Sequence, residues 1–119
     1  TPQQLDELSW ILPREGTPGR RNFTAFMAAK GLPAPRRVIE CSSLVTARAL
    51  LLQGDHAALL SRQQVEIEVE LGLLKVMGPP LTGSTRPIGV TRRIGFRPTR
   101  LHEAFLSALD DVAQSLTNT

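Results

Sequence analysis

Three times in this chain a short apolar run ends in a loop holding a hydroxyl residue, and a helical pattern starts there. Ser9-Trp10-Ile11-Leu12 passes through Pro13-Arg14-Glu15-Gly16 to Thr17-Pro18. Arg37-Val38-Ile39-Glu40 passes through Cys41-Ser42-Ser43 to Leu44, and Ala57-Ala58-Leu59-Leu60 runs into Ser61. Runs this short are strand-sized, and the periodic stretches between them are helix-sized. Strands alternating with helices become parallel neighbours joined by right-handed crossovers, so an α/β fold is expected.

The helical stretches carry their own boundary signals. Residues 1–8 read as a helical turn, with Thr1 as cap and Pro2 at the first position, where its missing N–H costs nothing. Residues 18–30 place Phe23, Phe26, Met27 and Lys30 on one face, and Gly31 ends the helix. Ser42 or Ser43 caps the next helix, which runs through Leu44, Ala47, Leu51 and Leu52 to Gly54. Ser61-Arg62-Gln63-Gln64 has the pattern of a capping box. Residues 65–71 fit a helix stopped by Gly72, although they also alternate like a strand. A fourth strand is expected at 73–77, a Gly/Pro/Ser/Thr-rich connector at 78–86, and another strand at 87–91. Thr99 then caps a helix with Leu101, Phe105, Leu109, Val112 and Leu116 on one stripe. One strand and one helix cannot build a core alone, so this last segment either packs back on the first unit or, the preferred reading, has its proper partner outside the chain.

Composition narrows the class. With 119 residues, 41% hydrophobic and 21% charged, the chain is sized and composed for one globular domain. No apolar run approaches the roughly 18 residues of a membrane span. The polar start, residues 1–7, leads to the expectation of no secretory signal. One cysteine, Cys41, makes no internal disulfide and fits a reducing compartment. The net charge of +3 comes from twelve arginines and two lysines in scattered pairs, with no tyrosine. Stacking platforms for nucleic acid are therefore lacking, and direct nucleic-acid binding by this segment is not expected.

In open α/β sheets, ligands sit beyond the carboxyl ends of the strands. Here those ends lead to residues 13–17, to Cys41-Ser42-Ser43 and to Ser61, each beside a helix start with unpaired N–H groups. Together they form a cradle for a small anion such as a carboxylate. Alternatively, Thr17, Ser43 and Ser61 are ordinary caps, each contributing about 1 kcal/mol. Catalytic groupings are poor. His56 stands at a strand start as a half-buried core or edge residue, and His102 lies solvated in the first turn of the last helix. Glu66, Glu68 and Glu70 are spaced around a solvated helical face. Cys41 is either a reactive thiol at a helix start or a small packed hydrophobe. Neither a phosphate loop nor a nucleophile elbow is present, and no metal spacing or cofactor motif occurs.

Several segments, in order, resemble the LysR-type transcriptional regulators. Trp10-Ile11-Leu12-Pro13 with Gly16-Thr17-Pro18 and Arg20-Arg21 is similar to the opening of the second lobe of their effector domain. Val38-Ile39-Glu40-Cys41-Ser42-Ser43-Leu44 resembles the family's Glu-Thr-Ser-Ser-Leu-like stretch. Gly54-Asp55-His56-Ala57-Ala58-Leu59-Leu60-Ser61 resembles its glycine, apolar strand and Leu-Pro or Leu-Ser segment. Arg86-Pro87-Ile88-Gly89-Val90 and the final helix resemble the return into the first lobe.

The resemblance implies a lobe like that of type II periplasmic binding proteins, with a mixed sheet flanked by helices and the effector bound between two lobes. Residues 1–85 would be the second lobe with its connector, the lobe proper covering roughly 9–80. Residues 86–119 would be the returning strand and C-terminal helix of the first lobe. The rest of that lobe and the winged helix-turn-helix DNA-binding domain would be absent, making the chain a fragment of a regulator. The effector-facing positions implied are Pro13, Gly16, Thr17, Cys41, Ser42, Ser43 and Ser61. In the peroxide-sensing branch the first loop holds a reactive cysteine. Residues 13–18 have none, so redox sensing is not expected.

The partners implied are a small anionic effector and further copies of the chain, in a dimer or larger assembly. In the family, the helix matching residues 18–30 packs on the first lobe of a second subunit. DNA would be met only through the absent domain, and no membrane, metal or cofactor is implied. The protein is expected in the bacterial cytoplasm and is not expected to be an enzyme. The alternative is a transporter's solute-binding protein, which shares the architecture; the missing signal and lone cysteine argue against it.

Overall fold

A computed structural model describes residues 2–117, so the cap expected at Thr1 lies outside the described residues. The chain divides into two compact units, Thr1–Thr85 and Arg86–Thr119. The first contains α1 (Pro2–Glu7), β1 (Ser9–Leu12), α2 (Pro18–Ala29), β2 (Arg37–Glu40), α3 (Leu44–Gln53), β3 (His56–Ala58), a 3₁₀ turn (Arg62–Gln64) and α4 (Glu66–Glu70).

β1 is the centre of a three-stranded sheet in the order β2-β1-β3. Both pairings are parallel, with Leu12 opposite Glu40 and Ile11 opposite Ala58. Trp10, Ile11 and Leu12 are all buried, as a parallel strand covered on both faces requires. The pleat sends Trp10 and Leu12 to one face, where they cluster with Phe23 and Met27 of α2 and Ala57 of β3. Phe23 meets Trp10 at 4.8 Å between ring centroids with a 58° tilt, an attractive aromatic geometry. Trp10 Nε1–H donates to the Leu5 carbonyl at 3.0 Å, which fastens α1 to the core.

Two helices end in the same way for the same reason. Gly31 (φ +64°) follows α2 and Gly72 (φ +72°) follows α4, each in the left-handed region. Gly31 N–H then reaches Ala28 and Leu32 N–H reaches Met27. In α4, Gly72 N–H reaches Val69 and Leu73 N–H reaches Glu68. Both are Schellman closures, which satisfy the last free carbonyls of a helix.

The structure corrects several expectations. The sheet is parallel rather than mixed. Residues 73–77 form no strand: the N–H groups of Leu73 and Leu74 are tied to the Glu68 carbonyl at 2.8 and 3.1 Å, and Leu73, Val76 and Met77 stay exposed without a neighbouring strand. β3 begins at His56 and stops at Ala58, so Leu59 and Leu60 leave the ladder. Residues 65–71 resolve the helix-or-strand ambiguity as a short helix.

In the second unit, residues 87–91 are not a strand either; Ile88 and Val90 are exposed, and Pro87 has no N–H to give a ladder. α5 (Arg100–Thr117) has its apolar stripe of Leu101, Phe105, Leu109, Val112 and Leu116 exposed. Its start is a reciprocal cap: Thr99 Oγ1 accepts from His102 N–H at 3.4 Å, and His102 Nδ1 accepts from Thr99 N–H at 3.2 Å. The His102 ring also meets Phe96 edge-on at 5.3 Å; this histidine is exposed, as expected, and serves as a capping residue besides.

Candidate functional site at the carboxyl ends of the strands

Parallel register brings the ends of β1, β2 and β3 to one edge of the sheet. Cys41 extends the ladder by one step, its N–H donating to the Leu12 carbonyl at 2.8 Å, so Cys41 follows directly where Pro13 leaves β1. Ser61 lies three residues beyond the end of β3.

The loop after β1 is held by the helix it feeds. Thr17 is the N-cap of α2: its Oγ1 accepts from Arg20 N–H at 3.3 Å and donates to the Arg14 carbonyl at 2.7 Å. Arg20 Nη1 donates to the Pro13 carbonyl at 3.2 Å, and Arg21 Nη1 to the Gly16 carbonyl at 2.7 Å. Gly16 has φ +79°, a conformation that favours glycine. Glu15 sits 3.6 Å from Arg20 but is largely exposed and offsets little of this charge. The sequence signal for this arrangement was the Arg20-Arg21 pair behind the cap. Its role as a brace for residues 13–16 was not read from it.

After β2, the choice between two serines is resolved. Ser43 is the N-cap of α3, its Oγ accepting from Thr46 N–H at 3.3 Å. The Cys41 thiol donates to the Ser43 carbonyl at 3.4 Å, and Cys41 is half-buried. Ser42 is exposed, and among the described residues its hydroxyl has no hydrogen-bond partner. After β3, Ser61 N–H donates to Gln64 Oε1 at 3.3 Å, and Ser61 Oγ donates to Gln63 Oε1 at 3.0 Å. Thr17, Ser43 and Ser61 are thus engaged locally, whereas Ser42 is unengaged.

Neither of two depressions among the described residues brings these residues together. One depression, of about 630 Å³, runs along α2 and touches Gly16, Arg20, Arg21 and Thr24. Another, of about 430 Å³, lies at the opposite end of the sheet between Asp6, Glu7, Arg36 and Arg37. One carboxylate departs from the expected solvated face. Glu68 is buried rather than part of a solvated face, and its Oε1 accepts from Arg48 Nη2 of α3. Spacing alone could not single it out from Glu66 and Glu70. His56 is half-buried at the start of an edge strand, with its ring against Gly54. Among the described residues, no group of three or more His, Cys, Asp or Glu is placed to hold a metal ion, and no helix is long and apolar enough to cross a membrane.

Comparison with known proteins places the chain in a family. The family model described as the LysR substrate binding domain matches residues 1–114. The chain is 36% identical over 91 residues to the HTH-type transcriptional regulator GalR of Pseudomonas putida, an overlap of 76% of this chain and 23% of that protein. It is 28% identical over 90 residues to the HTH-type transcriptional regulator GbpR of Azospirillum brasilense, an overlap of 76% of this chain and 26% of that one. The chain therefore spans about a quarter of the length of these curated relatives. No solved structure matches it significantly.

Proposed function

The chain belongs to the LysR substrate-binding-domain family, and from that premise we propose that it is the effector-sensing part of a LysR-type transcriptional regulator. Its first unit is the second lobe of the effector domain, and its second unit is the segment returning to the first lobe. Pro13, Gly16, Thr17, Cys41, Ser42, Ser43 and Ser61 form one wall of a cleft for a small anionic metabolite. Binding there shifts the population of oligomer geometries that the regulator adopts on DNA. DNA itself is held by a domain outside this chain, in the bacterial cytoplasm. Both relatives are named as transcriptional regulators, which favours this reading over a transporter's solute-binding protein or an enzyme.

One observation carries the assignment. Three parallel strands deliver their following loops to a single edge, and Ser42, at that edge, keeps an unengaged hydroxyl. An anion there also gains from the positive helix starts and from Arg20 and Arg21 behind the first loop. The test is a thermal-shift screen of the full-length regulator against small mono- and dicarboxylates. At least one is expected to raise the melting temperature, with a weaker effect in Ser42→Ala. If no carboxylate acts, or if Ser42→Ala and Ser43→Ala both leave the titration unchanged, the wall is wrongly assigned.

A further inference from the structure

Glu68 has a property that its neighbours on α4 lack: it is 7% exposed, and its carboxylate is paired with Arg48 of α3, twenty residues earlier. Its carbonyl meanwhile accepts the N–H groups of Leu73 and Leu74. This one residue therefore joins α4, the turn that follows it, and α3. Apolar packing adds only partial cover: Ile67 of α4 and Leu71, just past its end, are 65% and 68% exposed, and Val65, Val69 and Leu74 are only half-buried. Arg48 lies five residues beyond Ser43, the cap of α3, and α4 continues directly from the 3₁₀ turn headed by Ser61.

We propose that the Arg48–Glu68 pair is a latch holding residues 61–74 against α3, so that this segment opens and closes as one piece while the sheet stays folded. Such a segment is a low-stability cooperative unit within a stable framework. The latch is ionic, and salt favours its open form by screening the two charges once they separate into solvent, a help that an apolar clamp would not receive. Its consequence for regulation rests on the effector-site reading above: opening carries Ser61 away from the wall, and closure returns it.

The experiment is amide hydrogen exchange on the full-length chain with no small molecule present, so its failure is separate from failure of the effector reading. In the unmodified chain, raising sodium chloride from about 50 to about 500 mM should speed exchange across residues 62–74 and leave β1 unchanged. Glu68→Gln should speed that exchange about tenfold at low salt and abolish its salt dependence. The exchanged pair Arg48→Glu with Glu68→Arg should restore protection. Salt-independent exchange in the unmodified chain overturns the proposal, and so does acceleration of Trp10–Leu12 by the same factor as 62–74. The latter outcome would make the pair a support of the whole unit rather than a latch.

Discussion

Of the two adjacent serines after β2, Ser43 should carry most of the structural role and Ser42 most of the effector binding. Ser43→Ala removes the oxygen that accepts Thr46 N–H at 3.3 Å at the start of α3. Loss of such a cap costs about 1 kcal/mol. With a urea dependence of about 1 kcal/mol per molar for a unit this small, the unfolding midpoint should fall by about 1 M. Ser42→Ala removes a hydroxyl bonded to no described group, so its cost should stay within about 0.5 kcal/mol. The effects on binding should run the other way. A hydrogen bond to a charged ligand is worth about 1.5 kcal/mol or more, so Ser42→Ala should weaken effector affinity roughly tenfold. Trp10, the single tryptophan, is 3% exposed in the core of the first unit, and its fluorescence reports urea unfolding directly. If Ser42→Ala lowers the midpoint as far as Ser43→Ala does and leaves effector titration untouched, the division of roles is refuted.

Phe23→Ala should remove a buried ring packed on Trp10 and cost about 3–5 kcal/mol. Red-shifted Trp10 emission in buffer without denaturant is the expected sign. Thr99→Ala should fray the first turn of α5 by about 1 kcal/mol. Faster amide exchange at residues 100–103, with the middle of the helix unaffected, checks this. The exposed stripe on α5 should make the chain associate into dimers or larger species at micromolar concentration, and Phe105→Asp should lower the sedimentation-equilibrium mass. An unmodified chain that sediments as a monomer contradicts the expectation.

β1 and β2 fall on the residues expected from sequence because each is closed off locally: β1 by Pro13, β2 by the prolines before it and the serines after it. The ends of α2 and α4 were legible for a similar reason, since a glycine just past a periodic stretch marks a left-handed closure. The failures are non-local. Residues 73–77 and 87–91 have the composition of strands, but composition records a willingness to pair and carries no information about whether a partner is adjacent. The same limit hid Glu68, whose burial depends on an arginine twenty residues away. At the candidate wall, the sequence showed which hydroxyls lie near helix starts. Which one is the cap of α3 and which is left over depends on backbone geometry at Ser42 and Ser43, where both residues satisfy the same preference.

The strand order β2-β1-β3 also has a consequence for synthesis on the ribosome. β1 sits between strands that are both translated after it, so each of its backbone edges waits for a partner still to be made. Once Arg37–Glu40 has emerged, one edge is closed, but the other stays open until His56–Ala58 follows. A nascent chain arrested in that interval presents Trp10, Ile11 and Leu12 on a strand with one edge unpaired, the kind of edge that recruits other chains. Chains released after residue 54 should therefore pellet, whereas chains released after residue 64 stay in the supernatant.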